Sequence, residues 1–137
     1  MAKYDKDAAS LQYAIKYCDR ASEARKRFGD SYSVFASDAD YQSCCSMYMF
    51  QISEYCNHVS DALKATYPNI PWQKIRGMRS ILAHDYEAVK TDRLWDTLQH
   101  DLSPLRANLL RILTDLGYEY RPEENDDERL PSDEDEI

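Results

Sequence analysis

The chain is 137 residues long, with 17 Lys or Arg against 25 Asp or Glu and a formal net charge of -8. One domain fits that length, and roughly 70% of the unfolded surface of such a chain can be buried, so a core closes without metal or disulfide staples. With 3 Gly and 5 Pro the chain is too poor in turn residues for an all-β fold, and the acidic total argues against phosphate-rich partners, which are normally held by counterion-displacing Lys and Arg.

From residue 4 to about 28, Leu11, Ile15, Cys18 and Ala21 follow the three-and-four spacing of one helical face, and Gly29-Asp30 ends the run. The stretch SYSVFASDAD (31–40) reads as a connection. Residues from about 39 to 66 lack Gly and Pro and predict a long second helix of about 40 Å, with Cys44, Met47 or Tyr48, Gln51 or Ile52, Tyr55, Val59 and Leu63 in its stripe. Tyr67-Pro68-Asn69-Ile70-Pro71 breaks the chain, and Pro71 suits the first turn of a third helix carrying Trp72, Ile75, Met78, Ile81 and Leu82. Thr91 is the expected N-cap of a fourth helix with Leu94, Trp95, Leu98 and Leu102. Ser103-Pro104 either kinks it or starts a fifth, whose apolar side chains run from Leu105 to Leu116 before Gly117 stops it. These elements predict an all-α fold, an antiparallel bundle of four or five helices over residues 1–120.

No run of 18 apolar residues occurs, and the N-terminus lacks an apolar segment, so a soluble, cytoplasmic protein without a membrane partner is expected. Cys18, Cys44, Cys45 and Cys56 have no C-x-x-C spacing and no His at ligand distance, so buried free thiols are expected and no metal site. Residues 121–137 hold nine acidic side chains, two arginines and almost nothing apolar, the composition of a disordered acidic tail. That tail changes the meaning of the net charge: the rest of the chain carries 15 basic against 16 acidic residues. The acidic total therefore does not exclude RNA, and the tail is free to shield a basic cleft or meet a partner.

The positive charge has a focus. No acidic residue lies between Asp61 and Asp85, while Lys64, Lys74, Arg76 and Arg79 fall inside that window, followed by His84. A guanidinium grips phosphate through a rigid fork, and imidazole gives or takes a proton near neutrality. Together they are the parts needed to cleave RNA without a metal: His84 moves the proton of the 2'-hydroxyl or the leaving oxygen, and Arg79 stabilises the phosphorane. Five residues turn an ideal helix through about 500°, so the two side chains would leave the axis about 140° apart. Either the helix ends or distorts before His84, or two copies of the chain face one cleft across a two-fold axis.

The stretch RSILAHDY (79–86) carries the pattern R-x4-H-x-Y. With FASDADYQSC (35–44), FQISEY (50–55), YPNIPWQKIRGMRSILAHDY (67–86) and LWDTLQHDLSPLRANLLRIL (94–113), it resembles the HEPN ribonuclease toxins of the HepT type over residues 5 to 117. The resemblance implies an all-helical homodimer with Arg79 and His84 as catalytic residues at its cleft, and a metal-independent endoribonuclease that needs no cofactor for RNA cleavage. It also implies a toxin of a toxin-antitoxin pair, whose partner is a minimal nucleotidyltransferase (MNT) antitoxin that uses ATP and magnesium to transfer AMP onto the motif tyrosine, here Tyr86. Added phosphate and bulk in a basic cleft would repel and occlude RNA.

The resemblance sets Glu54 at a polar position facing the cleft, where it orients Arg79 or else stays an ordinary exposed carboxylate. Lys74, Arg76 and Asp85 are further candidates for site support, Asp85 by tuning its neighbour His84, and Asp38 for positioning substrate or partner. His58 and His100 read as surface or core histidines, and Trp72 and Trp95 as core anchors. The alternatives from other functional classes are an inactive HEPN-like scaffold and a nucleotide-binding subunit that serves a nucleotidyltransferase.

Overall fold

The computed structural model describes residues 5–85 and 89–122. Helix α1 (Asp5–Phe28) buries Leu11, Ala14, Ile15, Cys18 and Ala21 along one face, as their spacing requires. It stops at Gly29, whose φ of 124° belongs to the left-handed region that side chains with a Cβ rarely enter.

The stretch expected to be a plain connection contains a short helix, α2 (Tyr32–Ala36), capped by Ser31 Oγ, which accepts from Val34 N. Five residues have too little propensity to hold a helix alone. Tertiary contact supplies the rest: Phe35 is fully buried, edge-on to Tyr41 with ring centroids 4.8 Å apart and 5.3 Å from the Trp95 ring.

Helix α3 (Ala39–His58) begins at Asp38, whose Oδ1 accepts from Asp40 N and Tyr41 N. Its carboxylate therefore serves as a helix cap. The buried row is Tyr41, Cys45, Met49, Ile52 and Cys56, one position away from much of the expected stripe, and Met47 is 55% exposed. The expected long helix is in fact two. Val59 takes an extended ψ of 139°, and Ser60 caps the separate helix α4 (Asp61–Thr66), its Oγ accepting from Leu63 N. Ser60 is fixed in turn by Asp7 of α1, which accepts from Ser60 N at 2.8 Å and from its Oγ at 2.7 Å. Asp7 is only 3% exposed. The break is thus made by a carboxylate distant in sequence, against the helix-forming composition of residues 39–66.

After helix α5 (Trp72–Asp85), helix α6 (Thr91–Asp96) is capped by the backbone at Lys90, with Thr91 as its first residue, and no side-chain cap bond forms. A π turn (Thr97–Asp101), in which Leu102 N donates to Thr97 O, joins it to α7 (Leu102–Asp115). Pro104 has no N–H for the carbonyl four residues back, and the π turn widens the helix just before it. The helical run continues from α6 through the π turn into α7 without a break. Gly117, with φ 92°, ends α7, and Tyr118 N donates back to Leu113 O at 3.1 Å.

Helix α3 lies between α1 and α5, while α7 packs on α1. Ile52, Leu109, Ile112 and Leu113 are fully buried where these helices meet, each contributing about 1.5–3 kcal/mol by leaving water. The architecture is an all-α bundle, with no strand among the described residues. Residues 119–121 return along α1: Gln12 Nε2 donates to Glu119 O, Arg121 N donates to Gln12 Oε1, and Tyr120 Oη donates to Asp19 Oδ2. From residue 123 onward the expected tail lies outside the described residues. No described helix is long and apolar enough to cross a membrane.

All four cysteines are free, with Cys18, Cys45 and Cys56 buried and Cys44 half-buried. Burial, followed by the neighbouring Cys44, pushes the Cys45 thiol up to about 12, and burial against the opposing pull of Lys64 pushes Cys56 up to about 12. Since the thiolate is the nucleophile, these two are inert in the folded protein. Iodoacetamide at pH 8 is expected to modify native protein at Cys44 alone and denatured protein at all four sites; peptide mass mapping reads this, and early labelling of Cys45 or Cys56 would contradict the packing.

Candidate active site

Helix α5 starts where Pro71, without an N–H to leave unpaired, offers its carbonyl to Ile75 N at 3.0 Å. The Trp72 indole donates to Tyr67 O at 3.0 Å and pins the entry. Ile75 and Leu82 turn into the core, each 7% exposed, and this sets the remaining positions on two flanks of the helix.

One flank meets α3. Arg79 Nε donates to Glu54 Oε1 at 2.7 Å, and the guanidinium carbon lies 5.9 Å from the centroid of the Phe50 ring. These side chains are 32% and 25% exposed for Arg79 and Glu54, far enough from bulk water for the charge pair to be directional. One turn earlier Arg76 Nε donates to Asn57 Oδ1 at 3.3 Å. The second oxygen of Glu54, Oε2, lies 3.3 Å from His58 Nε2.

The other flank faces a cleft of about 850 Å³ between α5 and the arm formed by α6, the π turn and α7. Its walls are largely apolar, with Met78, Ile81 and Leu105 among them, and Lys74, Lys90 and Arg93 also line it. Lys74 therefore sits across α5 from Arg79, whereas Arg76 shares the flank of Arg79. His84 is exposed in the last turn of α5 and follows Gly77, a cleft-lining residue, by seven positions, which returns it to within about 20° of the same line. Ile81, 49% exposed, lies one turn before it.

The helix is continuous through His84 to Asp85, so it neither ends nor distorts between the two motif residues. Asp85 closes α5; its side chain and the whole of Tyr86 lie outside the described residues. Among the described residues, no group of three or more His, Cys, Asp or Glu side chains gathers as a metal site. His100 is on the surface, 3.8 Å from Asp96, and Trp95 is a core residue, as expected. His58 is the residue that reading the sequence passed over. Its signal was present in the spacing Glu54-x3-His58, which sets an acid and an imidazole side by side on one helical face.

The family model described as ribonuclease HepT-like matches residues 15–112. The chain belongs to the ribonuclease HepT-like family. Its relatives include a protein of Methanocaldococcus jannaschii named as an RNase, 25% identical over 84 residues, which are 55% of this chain and 77% of the relative. Another protein named as an RNase, from Caldanaerobacter subterraneus subsp. tengcongensis, is 24% identical over 103 residues, covering 75% of this chain and 90% of the relative. A protein of Thermococcus cleftensis named as a ribonuclease HepT is 30% identical over 61 residues, 44% of this chain and 56% of the relative. No solved structure matches the chain. In this member of the HepT-like family, the R-x4-H segment lies on α5 with its arginine gripped by α3 and its histidine open to solvent.

Proposed function

We propose that this chain is the toxin of a HEPN/MNT toxin-antitoxin pair, a metal-independent endoribonuclease whose site is completed by a second copy of itself. The observation that carries the reading is the unbroken turn of α5 between Arg79 and His84. On one helix the two point about 140° apart, so one chain cannot aim both at the same phosphate. A two-fold axis beside α5 removes the conflict, since each copy then offers its arginine toward the histidine of the other. Exposed Ile81, one turn before His84, gives α5 apolar surface to bury against the partner copy.

In this arrangement one His84 takes the proton of the 2'-hydroxyl as its oxygen attacks phosphorus. The departing 5'-oxygen takes its proton from water, so each composite site needs one histidine from one copy and one arginine from the other. Arg79, its inner Nε held by Glu54, turns the outer nitrogens of its fork toward the charge that builds on the phosphorane. The bond from phosphorus to the 5'-oxygen breaks, leaving a 2',3'-cyclic phosphate and a 5'-hydroxyl. Arg76 extends the positive flank along the RNA, and Lys74 serves the cleft side. The AMP acceptor is Tyr86, two residues beyond His84, and the nucleotidyltransferase antitoxin supplies AMP from ATP with magnesium. The folded unit is taken as residues 1–120, with the acidic segment 121–137 outside it, and the cytoplasm as the place of action.

The test is direct. Purified protein in excess chelator is expected to cut RNA to those two end groups, and incubation with antitoxin, ATP and magnesium is expected to add AMP mass at Tyr86 and silence cleavage. Absence of cleavage across folded and unstructured RNAs would overturn the ribonuclease reading, and an unchanged intact mass would remove the AMP mechanism.

A further inference from the structure

We propose that His58 is a positioning residue for Arg79, acting through the carboxylate of Glu54 that the two share. His58 stands four positions after Glu54, so on α3 they lie within about 40° of each other, one turn apart. The carboxylate is divided between them. Oε1 accepts from Arg79 Nε at 2.7 Å, and Oε2 lies 3.3 Å from His58 Nε2.

A carboxylate on a rotatable stem holds a guanidinium in one orientation only when its second oxygen is also fixed, because the terminal torsion of Glu is broad and nearly two-fold. The 3.3 Å contact with the imidazole draws Oε2 toward His58, which sets the plane of the carboxylate and leaves the other oxygen directed at Arg79. The ring of His58 is itself braced: Tyr55 meets it edge-on with centroids 6.2 Å apart, and Tyr13 of α1 stacks on Tyr55 at 5.0 Å. The His58 side chain is 56% exposed, against 25% for Glu54 and 32% for Arg79, so the imidazole is the solvent-facing end of the bridge and the carboxylate its most buried member.

The surroundings reinforce the arrangement. Lys64 of α4 donates to Asn57 O at 3.2 Å, and Asn57 Oδ1 accepts from Arg76 on α5. Asn57 thus ties the end of α3 to α4 and α5, and a disturbance at its neighbour His58 reaches Arg79 by one carboxylate.

This role rests on the reading of Arg79 as the phosphate-binding group, and the experiment separates the two. The Arg79 Nε–H resonance is followed by NMR in the full chain without RNA, for wild type, His58→Ala and His58→Gln. The alanine variant is expected to shift and broaden that signal while circular dichroism and the melting temperature stay near wild type. The glutamine variant, whose amide presents an N–H toward Oε2 from the same position, is expected to restore it. In parallel, kcat for RNA cleavage is expected to fall roughly tenfold in His58→Ala with KM little changed, and to recover in His58→Gln, as for loss of a group that orients a transition-state donor.

An unmoved Nε–H signal in His58→Ala overturns the proposal, as does a folded His58→Gln that fails to rescue it. Where wild type cleaves RNA, an unchanged kcat in His58→Ala also overturns it. Where wild type cleaves no RNA, the ribonuclease reading fails, and the NMR comparison alone decides whether His58 positions Arg79.

Discussion

Arg79→Ala and His84→Ala are each expected to lower RNA cleavage by roughly 10²–10⁴-fold, the range seen when a general acid-base or a preorganised charge is removed. Both variants should keep the wild-type helical signal. His84 is exposed at the end of α5, so its ring supports little packing. Arg79 is only partly buried, and its loss leaves a Glu54 carboxylate that retains access to water and to His58. Arg79→Lys is expected to recover little, because a point charge cannot both bond Glu54 and fork onto a phosphate. The two-copy geometry gives a sharper test. Two inactive variants, Arg79→Ala and His84→Ala, when co-expressed, form mixed dimers in which one copy supplies the histidine and the other the arginine. Activity should return in the mixture and be absent from either variant alone. A mixture as inactive as its components would mean that each copy holds its own complete site, and would remove the second chain from the mechanism.

Asp7→Ala is expected to destabilise the fold by about 2–3 kcal/mol, since a buried carboxylate that accepts two hydrogen bonds is lost and its donors are stranded. The donors are Ser60 N and Ser60 Oγ, at 2.8 Å and 2.7 Å, and Ser60 Oγ in turn caps Leu63 N. For a domain of this size the change should appear as a fall in Tm of roughly 10 °C. Asp7→Asn keeps one acceptor and should fall between. A fall in Tm no larger than that of a surface substitution would show that the cap of α4 is held by something other than α1. The measurement is thermal melting followed by circular dichroism, with RNA cleavage at low temperature as a check that the site survives.

These two cases mark where reading the chain succeeded and where it stopped. The face of α1, the proline break before α5 and the glycine stops at 29 and 117 were legible, because each rests on local chemistry: a repeat of three and four, a missing N–H, or a φ that favours glycine. The break at Val59-Ser60 was not, because the residues around it form helix readily and the group that caps Ser60 sits on α1. Phe35 looked like part of a loop until Tyr41 and Trp95 closed around it. The register of α3 also slipped, since Cys, Met and Tyr occur on several sides of it and only packing against α1 and α5 selects Tyr41, Cys45, Met49, Ile52 and Cys56.

The site divides in the same way. Arg79 and His84 were singled out as candidates by residue type and charge context, and Tyr86 and Glu54 only through the resemblance of their segments to the family. Sequence alone determined that this is a helical chain of the HepT-like family with its charge focused ahead of one arginine and one histidine. Tertiary structure decided which groups touch: that Glu54 meets Arg79, that His58 shares the same carboxylate, and that Lys74 stands on the opposite flank of α5 from Arg79. The reason is physical. Spacing along a helix sets the angle at which a side chain leaves the axis, but only the packing of α3 against α5 sets what it meets there.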